Sequence, residues 1–377
     1  MNEKIQLYKD GIHDDTDALQ LLLDKAGTVL FPEGEYLISH PLIIHDNTHL
    51  IIPRNTVIRL ADHANCSLLD NDGLYGRHMN RNITIEGGIW DGNNSSQERE
   101  WIPDENVPCD YDKYVSNSLI VLMIRLVHTE HLTVRNVTFK NPTSYGIHIA
   151  DARYFTVENV FFDYDLSKPN MDGVHIQGPA RFGLIRNIMG DCNDDHIAIC
   201  ANGTTRSEIT HGDIEDIDID GVYCENGYTG VRLLSNGDSV RNISIKNIHG
   251  RFRYFAVSFT HHYPLSKDKP VLIENISISD IYVAKSTGYI PEGQKPAVAE
   301  NSLIWFESGT CCRNITIEGL YRYEKNSFTK APALKISGGA EVKALTVRNL
   351  YQNFTCGKIP AIENETDLNI KTENIYE

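Results

Sequence analysis

A short β-branched strand, an Asn, another apolar residue and a turn recur along most of this chain, and no other feature limits its possible folds as much. The unit reads Thr133-Val134-Arg135-Asn136-Val137, Thr156-Val157-Glu158-Asn159-Val160, Ile185-Arg186-Asn187-Ile188, Ile245-Lys246-Asn247-Ile248, Ile273-Glu274-Asn275-Ile276 and Val347-Arg348-Asn349-Leu350. Asn136 and Asn159 are 23 residues apart, and Asn159 and Asn187 are 28 apart. A period of about 20 to 50 residues marks stacked units, none of which buries its apolar face alone. Strands dominate here, so the expected class is an all-β solenoid. Asn suits the repeat because it tolerates the left-handed backbone of a sharp turn, and its amide can bond the equivalent residue along the stack.

With 377 residues the chain exceeds one compact core, which leaves several globular domains or one elongated repeat. No linker interrupts it. The expectation is a single solenoid domain over 1–377, with a cap region at 10–30, coils at 82–350 and inserted loops at 98–118, 261–270 and 284–300. Helical pattern is scarce, and its best segment is Asp15–Asp24, where Asp15 or Thr16 can cap the first turn and Gly27 stops the segment. Such a helix would close the open end of the stack, whose exposed strand edges otherwise invite aggregation.

Lys plus Arg number 35 against 51 Asp plus Glu, a net charge of −16, which argues against a nucleic-acid surface. No apolar run approaches the roughly 20 residues that span a bilayer, so no membrane partner is expected. The eight cysteines form neither zinc-ligand pairs nor a disulfide framework and read as small buried side chains. No apolar segment of signal-peptide length precedes Asp10, so the expected location is cytoplasmic, or secreted or periplasmic if a leader has been removed.

A second strand series follows the Asn units: Gly146-Ile147-His148-Ile149, Gly173-Val174-His175-Ile176, His196-Ile197-Ala198-Ile199, Gly230-Val231-Arg232-Leu233, Ala256-Val257-Ser258-Phe259 and Leu303-Ile304-Trp305-Phe306. Strand alternation sends the aliphatic positions inward and sets His148, His175, Ala198, Arg232, Ser258 and Trp305 in one outward column. Laying Val174 over Ile197 brings Asp172 onto Asp195, with Asp194 as an extra carboxylate. Three acids within one or two strand spacings, each about 4.8 Å, are the raw material for acid/base chemistry on a glycosidic bond. Three clustered acids raise one another's pKa, so one of them can hold a proton near neutrality.

The opening Asp10-Gly11-Ile12-His13-Asp14-Asp15-Thr16-Asp17-Ala18-Leu19-Gln20 resembles that of many right-handed parallel β-helix proteins of the pectate-lyase-like superfamily. Ile83 to Gly92, Asn170-Met171-Asp172 and Asn193-Asp194-Asp195 resemble glycoside hydrolase family 28, the polygalacturonase family. The resemblance, which runs from about residue 10 to about 350, implies a right-handed parallel β-helix with Asp194 as general acid and Asp172 with Asp195 as base. It also implies Arg232 as a substrate contact. Leu234 stands where the family has a lysine that grips a uronate carboxylate, and His211, the candidate for the family's histidine, lies 21 residues before Arg232. His148, His175, His196, His261, His262 and Trp305 are further sugar-contact candidates.

The expected function is therefore an inverting glycoside hydrolase acting on a pectin-related or other poly- or oligosaccharide, with no metal and no cofactor. Two alternatives remain open at this point. One is a polysaccharide lyase or epimerase on the same scaffold, in which the three acids would hold Ca²⁺. The other is a carbohydrate-binding or tailspike-like β-helix without turnover.

Overall fold

The computed structural model describes residues 6–98, 123–203, 209–261, 272–288, 301–324, 329–354 and 358–377. Among these residues every strand pairing is parallel, and 23 strands join in one hydrogen-bonded stack. The chain is an all-β parallel β-helix, as its repeat implies. Most of the loop regions expected at 98–118, 261–270 and 284–300 lie outside the described residues.

Register follows the apolar pattern. Ile147, Val174, Ile197, Val231, Val257 and Ile304 pair in sequence from coil to coil, and all six are fully buried. Two residues further on, Ile149, Ile176, Ile199, Leu233, Phe259 and Phe306 form a second inward column, ending in a Phe259–Phe306 stack at 4.2 Å. Each such side chain stabilises the stack by about 1.5–3 kcal/mol.

The repeated Asn residues do what their chemistry suits them for. Asn136, Asn159, Asn187, Asn242, Asn275 and Asn314 all have φ between 53° and 58°. Their amides form ladders: Asn187 donates to Asn159 at 2.9 Å, Asn159 to Asn136 at 3.2 Å, Asn314 to Asn275 at 2.8 Å and Asn275 to Asn242 at 3.0 Å. On another side, Tyr223, His249, Tyr282, Tyr321, Tyr351 and Tyr376 stack ring on ring with centroid spacings of 5.2, 4.9, 4.8, 5.2 and 4.7 Å.

The helix is Thr16–Leu23, and it buries Leu19 and Leu23 on the first coils. Gln20 pairs with the backbone of Ile43 through both its amide groups (2.8 and 3.0 Å), so the cap covers a strand edge directly. Its N-terminus differs from expectation. Asp14, rather than Asp15 or Thr16, accepts the Thr16 amide at 2.9 Å, because the Asp15 carboxylate is taken by the amides of Tyr8 and Lys9.

Candidate active site

Asp172 precedes the strand Val174–Asp191, while Asp195 opens the strand Asp195–Asn202 on the next coil. Val174 pairs with Ile197, and the Gly173 amide donates to the Asp195 carbonyl at 2.9 Å, so the two turns are neighbours along the axis. The outward column is also in register: His148, His175, Ala198, Arg232, Ser258 and Trp305 occupy successive coils. It extends at the near end to Arg125 and Asp70, and at the far end to Lys335 and Glu363.

The acids sit in unlike surroundings. Asp172 is 4% exposed, and its carboxylate lies 2.7 Å from Nδ1 of His175, whose ring stacks flat on Tyr145 at 4.3 Å. Asp195 is 3% exposed and lies 3.5 Å from the Arg232 guanidinium, while its other oxygen is buried without a hydrogen-bond partner. Arg232 Nε donates to Thr260 Oγ1 at 2.9 Å, which holds the guanidinium between Thr260 and Asp195. Asp194, next to Asp195 in the turn that leads into its strand, is half-buried. Burial, then the negative charges of Asp195 and Asp172, push its carboxyl well above the usual carboxylate range against the opposing pull of Arg232 and Arg253. Burial raises Asp195 as well, but Arg232 and His175 oppose it.

Several side chains expected at sugar contacts are placed elsewhere. His148 is fully buried beneath Tyr145, bonds Gln177 at 3.1 Å and is held well below its ordinary pKa by burial. Tyr145 belongs to a small buried apolar cluster with Leu74, Val127, Ala150 and Ile209. His196 is also fully buried, its nitrogens each 2.9 Å from a backbone carbonyl, of Thr229 and Gly190, while its neighbour Asp195 faces Arg232. His211 pairs with Asp238 at 3.0 Å, beside Asn202 at the far end of the strand Asp195–Asn202, about 20 Å from the acids at strand rise.

Trp305 lies half-buried in the column, stacks on Phe255 at 4.8 Å and donates to Ser337 at 2.9 Å. His261 directly follows Thr260 and bonds the Ser308 carbonyl at 2.8 Å. His262 lies outside the described residues.

Three groups at the acids were missed in the sequence. Arg253, 1% exposed, donates to Asn193 Oδ1 at 2.8 Å and to the Cys192 carbonyl at 3.2 Å, so it pins the turn that carries Asp194. Its guanidinium lies over the Tyr228 ring at 5.5 Å, and Tyr228 stacks on Tyr254 at 4.1 Å. Counting back three residues from each paired strand start gives Met171, Asp194, Tyr228 and Tyr254, so the register itself held the signal for the two tyrosines.

Comparison with known proteins agrees with this architecture. The family described as "Right handed beta helix region" matches residues 122–251, and that described as "Rhamnogalacturonase A/epimerase, pectate lyase-like" matches residues 5–148. Among solved structures, an exopolygalacturonase from Thermotoga maritima aligns with a TM-score of 0.63 at 13% identity, covering 97% of this chain and 89% of that one. The A-module of a mannuronan C-5 epimerase from Azotobacter vinelandii aligns with a TM-score of 0.58 at 15% identity, covering 97% and 98%. In sequence, the chain is 30% identical over 181 residues to plasmin and fibronectin-binding protein A of Streptococcus pneumoniae, which covers 44% of this chain and 24% of that protein. The chain thus spans about a quarter of that curated relative. These likenesses separate no single activity; what the solved structures share with this chain is the fold, a right-handed parallel β-helix.

Proposed function

We propose that the chain hydrolyses a glycosidic bond in a poly- or oligosaccharide with inversion. Asp194 gives its proton to the glycosidic oxygen as the bond to the anomeric carbon breaks. Asp172 and Asp195 take the proton of a water that attacks from the opposite face, so that no proton is gained or lost over the cycle. The observation that carries the reading is one turn holding Asp194, whose carboxyl is pushed well above the usual range by burial and by the charges of Asp195 and Asp172, beside Asp195 facing the Arg232 guanidinium, with Asp172 one coil away. Groups whose surroundings push their titration apart mark an acid/base pair. One coil spacing plus side-chain reach spans the roughly 6.5–9.5 Å that inverting hydrolysis requires for its water.

The calcium-holding arrangement fits these residues less well. Asp172 already faces His175 and Asp195 already faces a guanidinium, which repels a second cation. Epimerisation or elimination without a metal has one observation in its favour: the Tyr145–His175 stack places two proton-transfer groups beside Asp172.

The decisive experiment is a product screen on defined pectic, neutral and fructan oligosaccharides, comparing the parent chain with Asp194→Asn. New reducing ends, lost by at least ~10²-fold in the variant, support hydrolysis by this acid. An undiminished rate sinks the assignment. Ultraviolet-absorbing unsaturated products or C5 proton exchange without cleavage establish the second reading, and binding without turnover that persists in Asp194→Asn marks a binding protein.

A further inference from the structure

Behind the acid-bearing turn, three ligand-type side chains from different coils converge. A carboxylate oxygen of Asp191, a ring nitrogen of His196 and the sulfur of Cys224 all lie within 4.8 Å of one another. Among the described residues this is the one such set. Asp191 ends the strand Val174–Asp191, His196 lies in Asp195–Asn202, and Cys224 lies in Ile214–Gly227. Asp191 Oδ1 accepts the amides of Glu225 and Asn226 at 2.9 and 2.8 Å, which fixes the carboxylate against the coil that carries the sulfur.

Two independent observations point to a ligand. Both nitrogens of buried His196 face carbonyl oxygens at 2.9 Å, yet a neutral imidazole carries one N–H. One contact therefore sets lone pair against lone pair unless the ring carries a second proton or a metal ion is shared by that nitrogen and the carbonyl. The second is Gly227, where a Cβ would stand 2.5 Å from His196 Cε1 and 2.8 Å from Cys224 Sγ, so a side chain there would push ring and sulfur apart and glycine is what lets both approach one point.

We propose that Asp191, His196 and Cys224 bind one borderline-soft divalent metal ion of the zinc type, with water or the Gly190 carbonyl as fourth ligand. One oxygen, one nitrogen and one sulfur donor make a set that selects zinc over magnesium or calcium. Bonds of about 2.0–2.3 Å hold tetrahedral ligand atoms inside the observed span. The Cys224 thiol gives its proton to solvent as the sulfur–metal bond forms. The ion then clamps both ends of the turn Asp191–His196, which carries Asp194 and Asp195. Asp191 is only partly buried and supplies the entry side.

Chelator-stripped protein titrated with Co²⁺ tests this without reference to turnover. The expected result is one equivalent per chain, with visible bands of a tetrahedral site and a thiolate charge-transfer band, both displaced by Zn²⁺. Cys224→Ser abolishes the charge-transfer band, and Asp191→Asn weakens affinity more than ~10-fold. X-ray absorption on the unmodified, zinc-loaded chain should show a single sulfur at about 2.3 Å, which keeps the test open if the serine variant does not fold. Failure to bind, a spectrum without thiolate character, or equal affinity in Asp191→Asn overturns the proposal. So does a His196 ring that NMR finds doubly protonated with and without Zn²⁺, because an imidazolium paired with Asp191 would then account for both carbonyl contacts.

Discussion

Replacing Arg253 with methionine separates the placement of the acid turn from its chemistry. The buried guanidinium donates to Asn193 Oδ1 and to the Cys192 carbonyl, and methionine fills much of the same volume without donating. An acceptor that loses its buried donor costs about 1–3 kcal/mol, so two such losses put the change near 3–4 kcal/mol. Unfolding entropy of about 2.1 cal/mol/K per residue over 377 residues converts that to a fall in Tm of about 4–5 °C, read by calorimetry. The same change removes a positive charge that lowers the Asp194 carboxyl. If Asp194 works as the acid, activity is lost as pH rises through its pKa, so the basic limb of the kcat/KM profile moves to higher pH in Arg253→Met. Arg253→Lys keeps the charge, leaves the limb in place and still lowers Tm. A variant that melts within about 1 °C of the parent, with its basic limb unmoved or moved to lower pH, refutes the role given to Arg253.

Asp194→Asn should gain stability at neutral pH while losing turnover. The folded pKa of Asp194 lies above its ordinary 3.8, so the stabilisation from its proton is full below that value and is lost as pH rises through the folded one; melting curves of parent and variant should coincide in acid and part toward neutrality. Asn275→Ala removes two amide contacts and a residue suited to φ 57°, at a cost of about 2 kcal/mol, and Asn275→Gly restores about half by recovering the backbone term, as urea melts would show. Gly173→Ala brings a Cβ to 2.4 Å from the Phe162 ring and 2.6 Å from the His196 carbonyl, so a loss of about 1–3 kcal/mol in the same assay is expected.

The coil register was legible because a parallel stack repeats one simple rule: Val174 had to meet Ile197, and from that single pairing came Asp172 beside Asp195 and the whole outward column through Trp305. The positive-φ Asn ladder was legible for the same reason. What covers that column was not. His148 has the parity of an outward residue, but it is buried against the Tyr145 ring and bonded to Gln177, whose side chain is held in turn by the Ile209 amide, a contact across 32 residues that no local period announces. His196 was legible in part: next to Asp195, it points away from that acid by alternation, and it is packed and hydrogen-bonded to the Thr229 and Gly190 carbonyls. Arg253 was invisible to any search for acids, since its role comes from reaching back to the Cys192–Asn193 turn.

The even ring spacing along the tyrosine face, 4.7 to 5.2 Å over six coils, has a bearing on the distant groove. A backbone with so constant a pitch is a ruler. The gap between Asp172 and Asp194 is then graduated in whole coils and is insensitive to the length of any connecting segment. In the proposed hydrolase, such a scaffold could exchange its surface loops, and with them its substrate, while the distance on which proton transfer would depend stays calibrated.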